Sequence, residues 1–149
     1  MSVGELCNRE VVIAEISLPV TEAARLMRSR HVGDLVVVED KGGHKHPVGI
    51  VTDRDIVVEV VAAGVNPDAL KVGDIMGPEV ATVRESEGLF EALRYMRNKG
   101  VRRMPVVDAS GGLVGILTLD DLLSLLAEEM MELAKLVSRE RQREAAART

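Results

Sequence analysis

Nine residues, Val48-Gly49-Ile50-Val51-Thr52-Asp53-Arg54-Asp55-Ile56, return at 114–122 as Val-Gly-Ile-Leu-Thr-Leu-Asp-Asp-Leu. An internal repeat constrains architecture more than any local propensity, because each copy must adopt the same unit. Both copies read as an apolar strand ending at a threonine, an aspartate three residues on, and a run of helical length. Thr-x-x-Asp at such a junction has the form of a capping box: the hydroxyl caps one helical N–H and the carboxylate reaches back to another. A helix start leaves four N–H groups without intrahelical partners and is mildly positive. A phosphate can therefore settle there while the carboxylate receives a sugar hydroxyl. Taken singly, either copy is simply a well-capped helix; two copies in register point further, to a site.

The repetition runs well beyond this motif. Val3-Gly4-Glu5-Leu6-Cys7 aligns with Val72-Gly73-Asp74-Ile75-Met76 at an offset of 69 positions. The offset holds through Ala23-Ala24-Arg25-Leu26-Met27 against Ala92-Leu93-Arg94-Tyr95-Met96, and through Val36-Val37-Val38-Glu39 against Pro105-Val106-Val107-Asp108. At Val48 against Val114 it is 66, so the first copy carries three extra residues in the polar stretch 40–46.

Two copies with the pattern Pro-Val-Val-Asp, Gly-Gly, Val-Gly-Ile-Leu-Thr-x-x-Asp-Leu resemble a pair of cystathionine-β-synthase (CBS) domains, a Bateman module. The resemblance implies an α+β fold of two β-α-β-β-α repeats packed about a pseudo-twofold axis, with clefts that take adenosyl ligands. The corresponding division is repeat 1 over 3–65, a linker at 66–71, repeat 2 over 72–127, and a C-terminal helical extension and tail over 128–149.

Two such halves would each be marginal alone, so each is expected to need the other's apolar face. Hydrophobic residues make up 46% of the chain but aromatics only 1%, so the core must be aliphatic. The lack of aromatics also removes the stacking platforms of single-strand nucleic-acid binders. A formal charge of −5 argues against a phosphate-tracking surface. Cys7 is the sole cysteine and aligns with Met76, an apolar position, which assigns it to packing. No apolar run approaches the length of a membrane span, and no charged-then-apolar leader is visible. The expectation is a cytoplasmic protein with neither nucleic acid nor membrane as partner.

Along the chain, Val11–Ile13 and Val80–Val83 read as opening strands, Ser17 and Ser86 as N-caps of the helices that follow, and Gly100 as a left-handed stop. His31 occupies the corresponding position in the first copy. Leu35–Val38 and Met104–Val107 are apolar without alternation, as in strands covered on both faces. Asp108-Ala109-Ser110-Gly111-Gly112 predicts a hairpin returning through Leu113–Leu117, and the first copy should make the same hairpin around a longer loop. Ile56–Val61 would read as strand by propensity, but its counterpart at 122–127 is a strong helix former, so the duplication argues for helix with Gly64 as its stop. Beyond the repeat, Leu126, Met130, Leu133 and Val137 form an apolar stripe at helical spacing. Two readings of it stay open: an extension lying on its own domain and followed after Ser138 by a solvated, fraying tail, or a dimerisation helix.

From the resemblance, Asp55 and Asp121 receive ribose hydroxyls, and Thr52 and Thr118 lie near the phosphate. An acceptor-only carboxylate suits a vicinal diol. Arg102 and Arg103, before Met104 and Pro105, stand where the family often sets His or Arg against phosphates, a task that planar guanidinium groups suit. The first copy has Gly33 and Asp34 there, and Asp34 would repel a phosphate. Arg54 offers compensation where the second copy has Asp120. The clefts are therefore expected to be unequal, the one with Thr118, Asp121, Arg102 and Arg103 taking phosphorylated ligands first. Adenine is placed by the resemblance near Ile13, Thr82, Val83 and the strands starting at Leu35 and Met104. Asp53/Asp55 and Asp120/Asp121 are acidic pairs suited to Mg²⁺ beside a triphosphate, but His44 and His46 lack a third ligand. No nucleophile with an oriented base is visible, which argues against an enzyme. The expected function is a regulatory module with no required cofactor. Its ligand would be AMP, ADP, ATP, S-adenosylmethionine or NADH, and its partners a second copy and an unidentified regulated protein. The alternative is a ligand-free oligomerisation scaffold.

Overall fold

The structure is a computed structural model that describes residues 1–148. Each repeat folds around a three-stranded sheet. In the first, α1 (Val3–Leu6) precedes β1 (Ile13–Glu15), α2 (Val20–Arg30), β2 (Asp34–Lys41), β3 (His44–Thr52) and α3 (Asp53–Ile56), which runs on as a π-helical turn over Val57–Val61. A 3₁₀ turn at Pro67–Ala69 leads to the second, with α4 (Val72–Ile75), β4 (Val83–Arg84), α5 (Leu89–Lys99), β5 (Arg103–Val107), β6 (Leu113–Thr118) and α6 (Leu119–Ala147). β1 lies parallel to β2, as β4 does to β5, and β2 runs antiparallel to β3. The chain divides into two compact units: both sheets belong to Met1–Leu117, and the segment from Thr118 onward is the other.

The central strand β2 shows why the repeats fold together. Leu35, Val36, Val37 and Val38 are all fully buried. Side chains alternate across a strand. Leu35 and Val37 share a cluster with Ala23 and Met27 of α2 and with Val72. Val36 and Val38 cluster with Ile116, which belongs to the second repeat. One face of the strand is thus covered by its own helix and the other across the repeat boundary, as the run of branched residues without polar alternation predicts.

The short helices α1 and α4 interlock the repeats reciprocally. Val3 and Gly4 donate N–H bonds to the carbonyls of Glu87 and Glu85, both at 2.9 Å, in the corner before α5. Their counterparts Val72 and Gly73 donate to Leu18 (2.9 Å) and Ile16 (3.1 Å) in the corner before α2. Matched isolated bridges join Ser2 to Gly88 and Pro19 to Lys71. The glycine of the repeated Val-Gly-Ile lies where each interlocking segment ends. A Cβ at Gly49 would stand 2.5 Å from Met76 Sδ, and one at Gly115 would stand 2.7 Å from Cys7 Sγ and 2.9 Å from the Asn8 carbonyl. Cys7 is buried, a packing residue as its alignment with Met76 implied.

This interlock corrects several local expectations. The N-caps of α2 and α5 are Pro19 and Gly88, not Ser17 and Ser86, because the bridges to Lys71 and Ser2 hold those residues extended. The opening strands start at Ile13 and Val83, later than the apolar runs suggest. The three extra residues of the first copy lengthen β2 and β3, not the loop. Gly42 (φ +63°) and Gly43 (φ +85°) close the hairpin with a two-residue turn, the conformation adjacent glycines adopt readily. Ile56–Val61 is helical, and Gly64 (φ +70°) follows it as the stop. Gly100 and His31 both take the left-handed conformation. Helix continues past Ser138 to Ala147, consistent with the helix-forming Arg, Glu, Gln and Ala there.

Candidate functional site

At the start of α3, Thr52 Oγ1 accepts from the Asp55 N–H (3.1 Å), and Asp55 Oδ2 accepts from the Thr52 N–H (2.8 Å). This is the reciprocal capping box anticipated from Thr-x-x-Asp. Both residues also line a cavity of about 390 Å³, together with Arg102 and Arg103. One carboxylate oxygen serves the cap, and a carboxylate has capacity for further donors. The remaining wall is Ile50, Gly77, Glu79, Val80, Ala81 and Val101, mostly aliphatic.

The cavity joins a helix start of repeat 1 to a strand start of repeat 2. Arg102 and Arg103 thus stand with Thr52 and Asp55, a cross-repeat arrangement that aligning the copies does not reveal. The aligned positions 34 and 103 meet each other: Arg103 Nη1 lies 2.6 Å from Asp34 Oδ1. Asp34 is therefore neutralised, and the repulsion expected of it in the first copy does not follow. Gly33 accepts a bond from the Asp53 N–H at 2.9 Å. Asp53 and Arg54 are exposed and outside the cavity lining.

The residues assigned to adenine lie outside this cavity lining. Met104 and Pro105 are buried, and Ile13 packs against Val36, Val38 and Ile116. Thr82 and Val83 line a different, larger cavity of about 670 Å³ beside Tyr95 and the 108–111 turn. Val80, Ala81 and Val101, missed as site residues, form the apolar wall instead. Their signal is weak, since short aliphatic runs of this kind read first as strand.

The helix start at Thr118 differs from its counterpart. Thr118 Oγ1 accepts from the Asp121 N–H at 3.1 Å, but the cap is one-sided. Asp121 Oδ2 is buried and has no hydrogen-bond partner among the described residues. Asp120 is exposed. His44 and His46 lie in β3, paired with Lys41 and Glu39. No group of three or more His, Cys, Asp or Glu among the described residues is placed to hold a metal ion, and no described helix is long and apolar enough to cross a membrane.

The duplicated unit with its capped Thr-x-x-Asp helix starts defines a tandem CBS pair. The CBS domain model matches residues 3–62 and 72–128, and the chain belongs to that family. An uncharacterized protein of Methanopyrus kandleri is 41% identical over 125 residues, which make up 84% of this chain and 62% of that protein. Among solved structures, the CBS-pair protein CBSX2 of Arabidopsis thaliana is similar with a TM-score of 0.73 at 29% identity, over 87% of this chain and 96% of that one. A structure of CBSX2 in complex with AMP has a TM-score of 0.70 at 28% identity, over 87% and 98%. The hexameric CBS-CP12 protein of bloom-forming cyanobacteria has a TM-score of 0.71 at 28% identity, over 93% and 84%.

Proposed function

We propose that this chain is a regulatory sensor of adenosyl ligands, and that it binds an adenine nucleotide between Thr52 and Asp55 on one side and Arg102 and Arg103 on the other. The observation that carries the proposal is the meeting of these four side chains in one cavity. Asp55 offers the ribose an acceptor, the guanidinium groups offer the phosphate charge-assisted bonds, and Val80, Ala81 and Val101 offer the base an apolar wall. A volume of about 390 Å³ falls within the range of small-molecule sites. The arginines favour the phosphate-bearing ligands over S-adenosylmethionine, and a cavity of about 390 Å³ favours AMP, ADP or ATP over the bulkier NADH. The AMP complex of CBSX2 supports the same ligand class.

The module acts by conformation and not by catalysis: the ligand shifts a population of states through differential affinity, and a regulated protein reads the shift. It works in the cytoplasm as a homodimer, with the exposed Phe90 and Leu93 of α5 offering apolar surface to a second copy. A thermal-shift panel over AMP, ADP, ATP, S-adenosylmethionine and NADH tests the proposal, because a ligand that binds only the native state raises its melting temperature. The expected order places the three nucleotides first. No shift with any of the five supports the ligand-free scaffold instead.

A further inference from the structure

We infer that α6 pairs antiparallel with α6 of a second copy of this chain. The helix spans 29 residues, about 43 Å at 1.5 Å per residue. Leu123, Leu126, Met130, Leu133 and Val137 follow one another at alternating spacings of three and four, the seam of a two-stranded coiled coil. All five are exposed, between 48% and 69%. Ala127 and Ala134 flank the seam and let a second helix approach closely.

Charge selects the occupant and its direction. From Leu119 to Leu133 the helix carries Asp120, Asp121, Glu128, Glu129 and Glu132 and no basic residue. From Ala134 to Ala147 it carries Lys135, Arg139, Arg141 and Arg143 against Glu140 and Glu144. A parallel pair would set the acidic halves side by side, and like charges at that spacing repel. An antiparallel pair sets each acidic half along a basic one. With Met130 of one helix against Leu133 of the other, Leu126 meets Val137 and the seam stays apolar across four layers. The helix is thus complementary to itself, in one direction only.

The test uses the full chain with Cys7→Ala, so that only introduced thiols react. One batch carries Leu126→Cys, and a second, mass-tagged batch carries Val137→Cys; the two are mixed, exchanged and oxidised. The positions are eleven residues apart, about 16 Å along the axis, far beyond the Cα separation a disulfide spans. The inferred pairing gives mixed 126–137 crosslinks several-fold in excess of like-with-like ones. Predominance of like-with-like crosslinks overturns it in favour of a parallel pair. Absence of crosslinks overturns it in favour of a different occupant, or none. Adding Met130→Glu and Leu133→Glu to both batches should abolish the mixed product without changing the melting of the core; persistence of that product would mark it as collisional and also count against the pairing.

Discussion

Thr52 and Thr118 cap their helices through the same bond, yet the carboxylates that follow are used differently. Asp55 accepts a bond from the Thr52 N–H, whereas Asp121 Oδ2 is buried without a partner among the described residues. Positions 34 and 103 diverge further, to an aspartate in one repeat and an arginine in the other, and the two side chains close on each other at 2.6 Å. Hairpins diverge too: the first turns on Gly42-Gly43, and the second on an Asp108 carboxylate that accepts bonds from Ser110 and Gly112. Copies of one unit that interlock through α1 and α4 share the cavity that Thr52, Asp55, Arg102 and Arg103 line. The first contributes the helix start, the second contributes the arginines, and each copy is free to change where the other supplies what it lacks.

This contrast breaks most sharply at the arginines. Replacing Arg102 and Arg103 together by alanine should weaken AMP binding by roughly a hundredfold or more, since each charge-assisted bond contributes about 1.5–3 kcal/mol. Adenosine, which lacks the phosphate, should bind nearly as before; equal loss of both in calorimetry would mean that the arginines support the fold and not the ligand. Stability separates the two interlocks. Gly115→Ala meets the fixed Asn8 carbonyl and should cost about 1–3 kcal/mol in urea unfolding, whereas Gly49→Ala meets the flexible end of Met76 and should cost less. The reverse order would show that the rigidity of the atom met by the new Cβ does not decide the cost.

Smaller effects sharpen the picture. Asp34→Ala releases Arg103 from its ion pair and should leave nucleotide affinity unchanged or raise it a few-fold; roughly tenfold weaker binding would show that Asp34 positions the guanidinium. The Asp108 carboxyl is held below its ordinary range, first by the Ser110 hydroxyl and then by the Gly112 N–H. A carboxyl with a depressed folded pKa stabilises above its unfolded pKa, about 3.9, and that contribution is lost as pH falls through the folded value. Asp108→Asn should therefore lower the melting temperature slightly near neutrality and flatten the acid limb, the two chains converging at low pH.

Much of the fold was legible because repetition turns one sequence into two readings of the same unit. Ile56–Val61 reads as strand alone and as helix beside Leu122–Ala127, and helix is what forms. The fully buried β2 followed from its unbroken branched run, and Gly100 from the demand of a left-handed stop. The caps at Pro19 and Gly88 were not legible, because bridges from residues far along the chain displace the local serine signals. The short loop of the first hairpin was legible in Gly42-Gly43, but the polar residues around it read more readily as loop than as strand. Thr52 and Asp55 stood out as a capping pair from their spacing, which the structure shows, and the resemblance is what gave them a ligand role. Their companions Arg102 and Arg103 were recognised as residues, but their meeting with Thr52 and Asp55 was not, since alignment of two copies says nothing about how the copies pack.

The claim at the centre is that Asp55 holds the ligand's ribose in a cleft completed by the other repeat. Isothermal titration of AMP, ADP, ATP, S-adenosylmethionine and NADH into the wild-type chain and into Asp55→Ala tests it most directly. The account predicts at least tenfold weaker binding of every ligand the wild type takes, because all share the ribose, with unfolding still cooperative and the cap loss limited to about 1 kcal/mol. Unchanged affinities in Asp55→Ala, with the wild type binding normally, would contradict it.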